Sequence, residues 1–166
     1  MACKIPSHEL HRVVAMGLVY DLERRFLIVQ RSPRLLVFPN KWGSPGGGFS
    51  REDYEYLPLT LPDGWKDPLY TALRREIREE AGIEVGPFEY VDHFSHIRPD
   101  DIAVLGLRFM APYVSGQVVL NRDELIDHRW VFVEELKNYD LMGGFAEAIL
   151  VANRRLVYKV LGGAAS

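Results

Sequence analysis

An amphipathic helix predicted between two groups of strand-like segments does most to constrain the fold of this chain. The helix covers residues 67–82, where Asp67 is a suitable N-cap, Pro68 fits the first helical position and Gly82 is placed to end it. Short apolar segments rich in β-branched residues occupy 12–20, 25–31, 88–97, 102–114 and 128–133, and the first two are close enough for a hairpin. Further helices are predicted at 134–139 and 145–161. This order predicts one α/β domain over residues 1–166, with a mixed β-sheet and helices on its faces.

Composition and charge exclude several classes of function. A length of 166 residues suffices to bury a hydrophobic core without disulfides or structural metals. The formal net charge of −3 gives no electrostatic footprint for nucleic acids or an anionic membrane, and no apolar run is long enough to span a bilayer. Cys3 is the only cysteine, so an internal disulfide is impossible and a reducing, cytoplasmic location is the default expectation.

Three glutamates, Glu76, Glu79 and Glu80, crowd the predicted helix within about one and a half turns. Like charges three or four residues apart on a helix destabilise it by roughly 0.2–0.5 kcal/mol per pair. At about 100° per residue, these glutamates share the face of the apolar residues, whereas Arg74 and Arg78 lie opposite. Carboxylates that face inward need partners, and a hard cation such as Mg²⁺ prefers their oxygens. The helix is therefore predicted to form the edge of a metal site.

The segment REIREEAGI (75–83) resembles the second half of the Nudix box, whose pattern is G-x5-E-x7-R-E-U-x-E-E-x-G-U with U a bulky aliphatic residue. PGGG at 45–48 resembles the start of the box, but it is displaced. Counting back from Arg75 places Asp67 at the position of the first box acid, twenty residues after Gly47 instead of six. The chain is thus similar to a Nudix protein with 14 extra residues in the box loop and with Asp in place of Glu. This family implies an α/β/α sandwich with a mixed β-sheet.

The resemblance implies a reaction, the metal-dependent hydrolysis of a diphosphate linkage in a nucleoside diphosphate derivative. The substrate is a nucleoside triphosphate, a nucleotide sugar or a dinucleotide. Mg²⁺, or Mn²⁺, would neutralise the anionic substrate and generate the attacking nucleophile at neutral pH. The metal ligands that the family pattern assigns are the carbonyl of Gly46 and the carboxylates of Glu76, Glu79 and Glu80.

Two further roles are implied by the same resemblance. Arg75 is expected to orient a box glutamate through a charge-assisted hydrogen bond. The base that activates water is left open between a box glutamate and Glu124, with Asp123 as the nearest rival of Glu124. The alternative to an enzyme is a non-catalytic Nudix-like module that senses a nucleotide or docks a partner. A chain freed from catalysis, however, has no reason to keep three repelling carboxylates.

Candidates for substrate binding flank the glycines. Arg31 follows a strand and Lys41 lies in a polar loop, and both are candidates to meet phosphates. Trp42 either stacks on a base or covers the core. His93 and His96 lie three apart on one predicted strand, and joint metal ligation is not expected because side chains alternate between faces with a period of two.

The insertion at 48–66 includes FSREDYEYLPLTLPDGW, which is too short for a domain. Its tyrosines, leucines and tryptophan make it richer in aromatic side chains than a disordered loop. We expect it to pack as a lid or wall beside the metal site, with an aromatic ring available to a base. A contact in a homodimer, or a satellite cluster under the loop, is the alternative.

Overall fold

A computed structural model of the chain describes residues 5–162. Cys3, on which the redox expectation rests, lies outside the described residues. The strands within that range are β1 Arg12–Tyr20, β2 Phe26–Arg31, β3 Trp42–Gly43, β4 Gly46–Gly48, β5 Glu84–Val85, β6 Glu89–Ile97, β7 Ala103–Ser115 and β8 Leu125–Val131. The α-helices are α1 Pro68–Ala81 and α2 Phe145–Gly162, and short 3₁₀ turns cover Ser7–Glu9, Arg51–Asp53 and Val133–Asn138.

The strands form a mixed sheet around a central parallel pair. β1 runs parallel to β7 over nine residue pairs, from Arg12↔Val104 to Tyr20↔Pro112. The remaining pairings between strands are antiparallel: β1 with β2 and β4, β2 with β3 and β8, and β7 with β5 and β6. The predicted hairpin of β1 and β2 is confirmed, and so is the mixed sheet.

Each face of the sheet is covered by one helix, because apolar side chains on the strands alternate between the two faces. On one face, Leu73 and Ile77 of α1 pack with Ala15 and Val19 of β1. On the other, the buried side chains of α2 pack with Met16, Leu18 and Ile28. The predicted α/β/α sandwich is therefore confirmed. In the described part of the chain, no helix is long and apolar enough to cross a membrane.

The start of α1 differs from the prediction, whereas its end agrees. Asp67 makes no side-chain capping hydrogen bond and has a left-handed backbone, with φ of 56°. The physical reason is this backbone, because a residue that caps a helix through its side chain typically does so from an extended conformation. Gly82, with φ of 70°, ends the helix and donates its N–H to the carbonyl of Arg78. The predicted helix at 134–139 is a 3₁₀ turn over Val133–Asn138.

Candidate active site

An open cleft of about 570 Å³ lies on the α2 side of the sheet, where Val14 and Met16 of β1 line it. Its acidic end contains Glu76, Glu80 and Glu124, and its aromatic end contains Phe38, Phe94 and His96. The two ends are apart because β4 and β6 flank the β1–β7 pair on opposite sides. Since α1 packs on the other face of the sheet, its carboxylates reach the cleft past β4.

The glycines of β4 let α1 approach the backbone closely. The N–H of Gly46 donates to Oε2 of Glu80 at 2.8 Å. A Cβ atom on Gly47 would collide with the carboxylate of Glu76, and one on Gly46 would collide with the carbonyl of Ala15. Because these two positions carry no side chains, the carboxylates of α1 lie directly against the glycine strand. The PGGG segment and two of the box glutamates, Glu76 and Glu80, therefore meet at the cleft.

The three box glutamates differ strongly in burial. Glu80 is 4% exposed, whereas the side chains of Glu76 and Glu79 are 18% and 56% exposed. Burial raises the pKa of Glu80 to about 8, although the Gly46 N–H opposes this shift, and repulsion from Glu124 and Glu76 adds to it. Burial also raises the pKa of Glu76. Glu79 does not line the cleft and instead accepts a hydrogen bond from Nη1 of Arg75 at 2.7 Å.

Arg75 joins α1 to the 3₁₀ turn that follows the glycines. Its Nη2 lies 2.6 Å from Oδ1 of Asp53 and 2.8 Å from Oε1 of Glu76. The Asp53 side chain is 7% exposed and accepts a hydrogen bond from the N–H of Ser50 at 2.7 Å. Burial by itself would raise the pKa of Asp53, but the hydrogen bonds from Ser50 and Arg75 hold it below its ordinary value. Arg75 thus forms ion pairs with Glu76 and Glu79 and joins α1 to Asp53.

The assignment of Asp67 as the first box acid was wrong, because the partner of Arg75 is Asp53. Asp53 follows Gly47 by six residues, which is the spacing of the box pattern. The 14 extra residues therefore lie after the acid, between Asp53 and the helix. Counting forward from Gly47, instead of back from Arg75, identifies Asp53 as the first box acid.

Glu124 and Arg31 face the acidic end of the cleft from the side of β2. Nδ2 of Asn121 donates to Oε1 of Glu124 at 3.0 Å, and the N–H of Ser32 donates to the Glu124 carbonyl at 2.7 Å. Burial lowers the pKa of Arg31, and the negative charges of Glu80 and Glu124 oppose this shift. Its Nε donates to the carbonyl of Val37 at 3.0 Å. Asp123, the rival of Glu124, does not line the cleft.

Lys41 and Trp42, expected at the substrate, lie outside the cleft. Lys41 forms an ion pair with Asp140 at the surface. Trp42 is buried in the α2-side core, where Tyr139 packs edge-on against it with 5.0 Å between ring centroids. Trp42 lies in this core because the pairing of β3 with β2 places its side chain on the face of the sheet that packs against α2. Of the two alternatives for Trp42, the structure supports the one in which it covers the core.

Residues at the cleft that the sequence reasoning missed include Arg12, Phe38 and His96. Arg12 lies against Gly48, where a Cβ atom would collide with its guanidinium group. His96 lines the cleft, whereas His93 is exposed and hydrogen-bonds to the hydroxyl of Tyr90 at 2.6 Å. Side chains on β6 alternate between the two faces of the sheet, so His96 shares a face with Phe94. This alternation is the sequence pattern that could have grouped the two residues at one site.

The insertion beyond Asp53 packs beside the cleft and not over it. Tyr54 stacks on Phe49 with 5.4 Å between ring centroids, and Trp65 lies 5.0 Å from Tyr54. Nε1 of Trp65 donates to the carbonyl of Leu57 at 2.9 Å. Residues 54–66 contribute nothing to the lining of the cleft. Residues 54–66 therefore form a satellite aromatic cluster and not a lid, whereas the start of the insertion lines the cleft as part of its wall, at Gly48, Phe49, Ser50 and Asp53.

The acidic end fits a hard cation in its chemistry. Across residues 5–162, no three Asp, Glu, His or Cys side chains are grouped closely enough to hold a metal ion as they stand. Nevertheless, Glu76 and Glu80 offer carboxylate oxygens at the glycine strand, and burial raises the pKa of both. Repulsion from neighbouring carboxylates adds to this shift, from Glu79 and then Glu124 at Glu76, where Arg75 opposes it, and from Glu124 and then Glu76 at Glu80. A divalent cation prefers such oxygens and would remove this repulsion.

Comparisons with known proteins agree with this geometry. The family model of the NUDIX domain matches residues 10–150. A nucleoside triphosphatase NudI from Klebsiella pneumoniae (strain 342) is 30% identical over 140 residues, which are 78% of this chain and 88% of that protein. The crystal structure of a MutT protein from Methanosarcina mazei Go1 matches with a TM-score of 0.68 at 24% identity, covering 87% of this chain and 94% of that one. The NUDIX domain of Shewanella oneidensis NrtR, solved with ADP ribose, matches with a TM-score of 0.67 at 16% identity, covering 89% and 90%.

The family match and the similarity to a named nucleoside triphosphatase make this chain a pyrophosphohydrolase that acts on phosphorus-containing anhydrides. The two solved structures establish the likeness of fold. The chain belongs to the Nudix family. The family expectation drawn from REIREEAGI is thereby confirmed.

Proposed function

We propose that this protein hydrolyses the diphosphate linkage of a nucleoside triphosphate with the aid of Mg²⁺ or Mn²⁺. The observation that carries the proposal is the contact between Glu80 and Gly46, which sets a buried carboxylate beside Glu76 in an open cleft. The similarity to a protein named as a nucleoside triphosphatase supports this choice over nucleotide sugars and dinucleotides.

The residues that would hold the cation are the carbonyl of Gly46 and the carboxylates of Glu76, Glu79 and Glu80. Oε2 of Glu79 accepts a hydrogen bond from Arg75, so Glu79 would join this set through its other oxygen or by leaving Arg75. When bound, the cation supplies charge neutralisation for the diphosphate and lowers the pKa of a water molecule. The buried carboxylates supply the negative charge that retains it, and Arg75 keeps Glu76 in position.

Two other residues at the acidic end are candidates for the general base and for binding phosphate. Glu124, oriented by Asn121, is our candidate for the general base that accepts a proton from the attacking water, with a box glutamate as the alternative. Arg31 lines the cleft and its Nε donates to the carbonyl of Val37, which leaves its terminal nitrogens as candidates to bind phosphate oxygens. Water attack at phosphorus breaks the bond to the bridging oxygen, which leaves with the departing phosphate.

The test is a screen of nucleoside triphosphates, nucleotide sugars and dinucleotides with Mg²⁺ or Mn²⁺, with release of phosphate and diphosphate as the readout. We expect turnover of nucleoside triphosphates that EDTA abolishes and that the Glu80→Gln variant lacks. Turnover confined to another class would reject the substrate assignment. Nucleotide binding without turnover, by wild-type protein with either cation, would favour the non-catalytic module instead.

A further inference from the structure

The aromatic end of the cleft is built from rings that pack against one another. The Phe94 ring lies over Gly106 of the neighbouring strand, where a Cβ atom would collide with it. The guanidinium carbon of Arg108 is 4.2 Å from the centroid of this ring. The His96 ring is nearly parallel to Phe94, at 13° with 6.0 Å between centroids, and Phe38 lies 5.1 Å from His96. The His96 ring therefore lies at the cleft between Phe94 and Phe38.

His96 carries hydrogen-bonding capacity that the described protein does not use. Both of its ring nitrogens are buried, and neither has a hydrogen-bond partner among the described residues. A buried polar group left without a partner is destabilising, so such groups call for a reason. Burial, followed by the charge of Arg98, lowers the pKa of His96. The neutral imidazole presents one donor and one acceptor.

The distance across the sheet suits a nucleotide that extends from one end of the cleft to the other. The pairing Gly48↔Val14, Val14↔Gly106 and Gly106↔Phe94 places three strand intervals between the glycine strand and the aromatic end. At about 4.8 Å per interval, this separation is roughly 14 Å. A phosphate chain at the acidic end therefore leaves its sugar and base pointing along the floor towards Phe94 and His96.

We propose that the aromatic end is the nucleobase subsite and that His96 determines specificity by pairing its donor and acceptor with the edge of the base. This inference rests on the proposed function, because it assigns the base of the same substrate. The base reaches His96 by displacing the ring of Phe38. Phe38 has φ of 52° and Asn40 has φ of 61°, a left-handed geometry that non-glycine residues adopt at an energetic cost. A movement of this loop that releases the strained geometry would offset part of the energy needed to displace the Phe38 ring.

The test compares wild-type protein with His96→Phe, which keeps an aromatic ring but removes both nitrogens, and with His96→Gln, which restores a donor and an acceptor. His93→Phe is the matched control, because His93 lies on the same strand but does not line the cleft. Values of kcat and KM are measured with the four common ribonucleoside and four deoxyribonucleoside triphosphates, and thermal unfolding checks that each variant is folded.

We expect wild-type protein to prefer one base, and His96→Phe to lower kcat/KM for that base about 10- to 100-fold, mostly through KM. The preference among bases should collapse in His96→Phe, return in part in His96→Gln and persist in His93→Phe. A folded His96→Phe variant with the wild-type preference would overturn the subsite, as would a wild-type protein that does not discriminate between bases.

Titration of free nucleosides without metal, followed by NMR, separates this inference from the proposed function. Nucleosides that shift the resonances of wild-type protein but not those of His96→Phe would support the base subsite even if no triphosphate is hydrolysed. Absence of turnover alone rejects the proposed function. Equal nucleoside binding by both proteins, or binding by neither, rejects the role of His96.

Discussion

Asp53 and Arg75 form an ion pair at 2.6 Å although 22 positions of sequence separate them. We expect Asp53→Asn to lower turnover about 10-fold and the free energy of unfolding by roughly 1 kcal/mol, because the Arg75 side chain is 42% exposed and its charge is partly screened. Asp67→Asn is the control, since Asp67 makes no capping bond. Equal effects of the two variants on kcat and on urea unfolding would contradict the anchoring role of Asp53.

Removing charge from the box glutamates should impair turnover without unfolding the protein. We expect Glu79→Gln and Glu80→Gln each to lower kcat by at least about 10²-fold, because each removes charge that helps retain the cation which stabilises the transition state. The fold should survive because a repulsive pair is relieved. Steady-state kinetics at saturating Mg²⁺ measure the effect. A Glu79→Gln variant with wild-type turnover would show that Glu79 stays with Arg75 and is no ligand.

Binding of the cation should stabilise the folded protein. At a Mg²⁺ concentration of about 100 times Kd, the gain is about 2.7 kcal/mol, which raises Tm by roughly 5–10 °C in a chain of this size. Thermal unfolding with increasing Mg²⁺ measures this rise. The increase should be absent from the Glu76→Gln/Glu80→Gln double variant, and an equal increase in both proteins would place the cation elsewhere.

The closeness of β4 to α1 predicts that Gly47 does not tolerate a side chain. Gly47→Ala should lower the free energy of unfolding by about 1–3 kcal/mol and reduce turnover, since the new methyl group displaces Glu76. Gly64→Ala is the control because a Cβ atom there meets nothing within 4 Å. Chemical unfolding and kcat distinguish the two variants. Wild-type values for Gly47→Ala would mean that the carboxylate moves away at no cost.

Shortening the insertion should leave catalysis intact if Asp53 is retained. Replacing residues 56–64 with a short Gly/Ser bridge removes only part of the satellite cluster, and none of these residues lines the cleft. We therefore expect unchanged KM and kcat across the substrate screen, with a lowered Tm. A KM raised several-fold would restore the lid interpretation.

The helix, the strands and the family could be predicted because their signals are local. Period, caps and the box spacing lie within short stretches such as 67–82, and they do not depend on which strands pair. The roles of Trp42 and His96 depend on which face of β3 and of β6 meets the core or the cleft, and the tertiary packing of the sheet decides this. A period of two separates the two faces of a strand, but it does not say which face meets a cleft.

The place of Asp53 before the insertion has a consequence for the length of the chain that follows it. Between Asp53 and Arg75 lie 21 residues, where the box pattern has seven, yet the ion pair fixes both ends. The entropy of closing a loop grows only with the logarithm of its length, so this threefold lengthening costs roughly 1 kcal/mol. Segments 56–64 can therefore vary in length and sequence, or accept an inserted tag, while the carboxylates of α1 keep their register against the glycine strand.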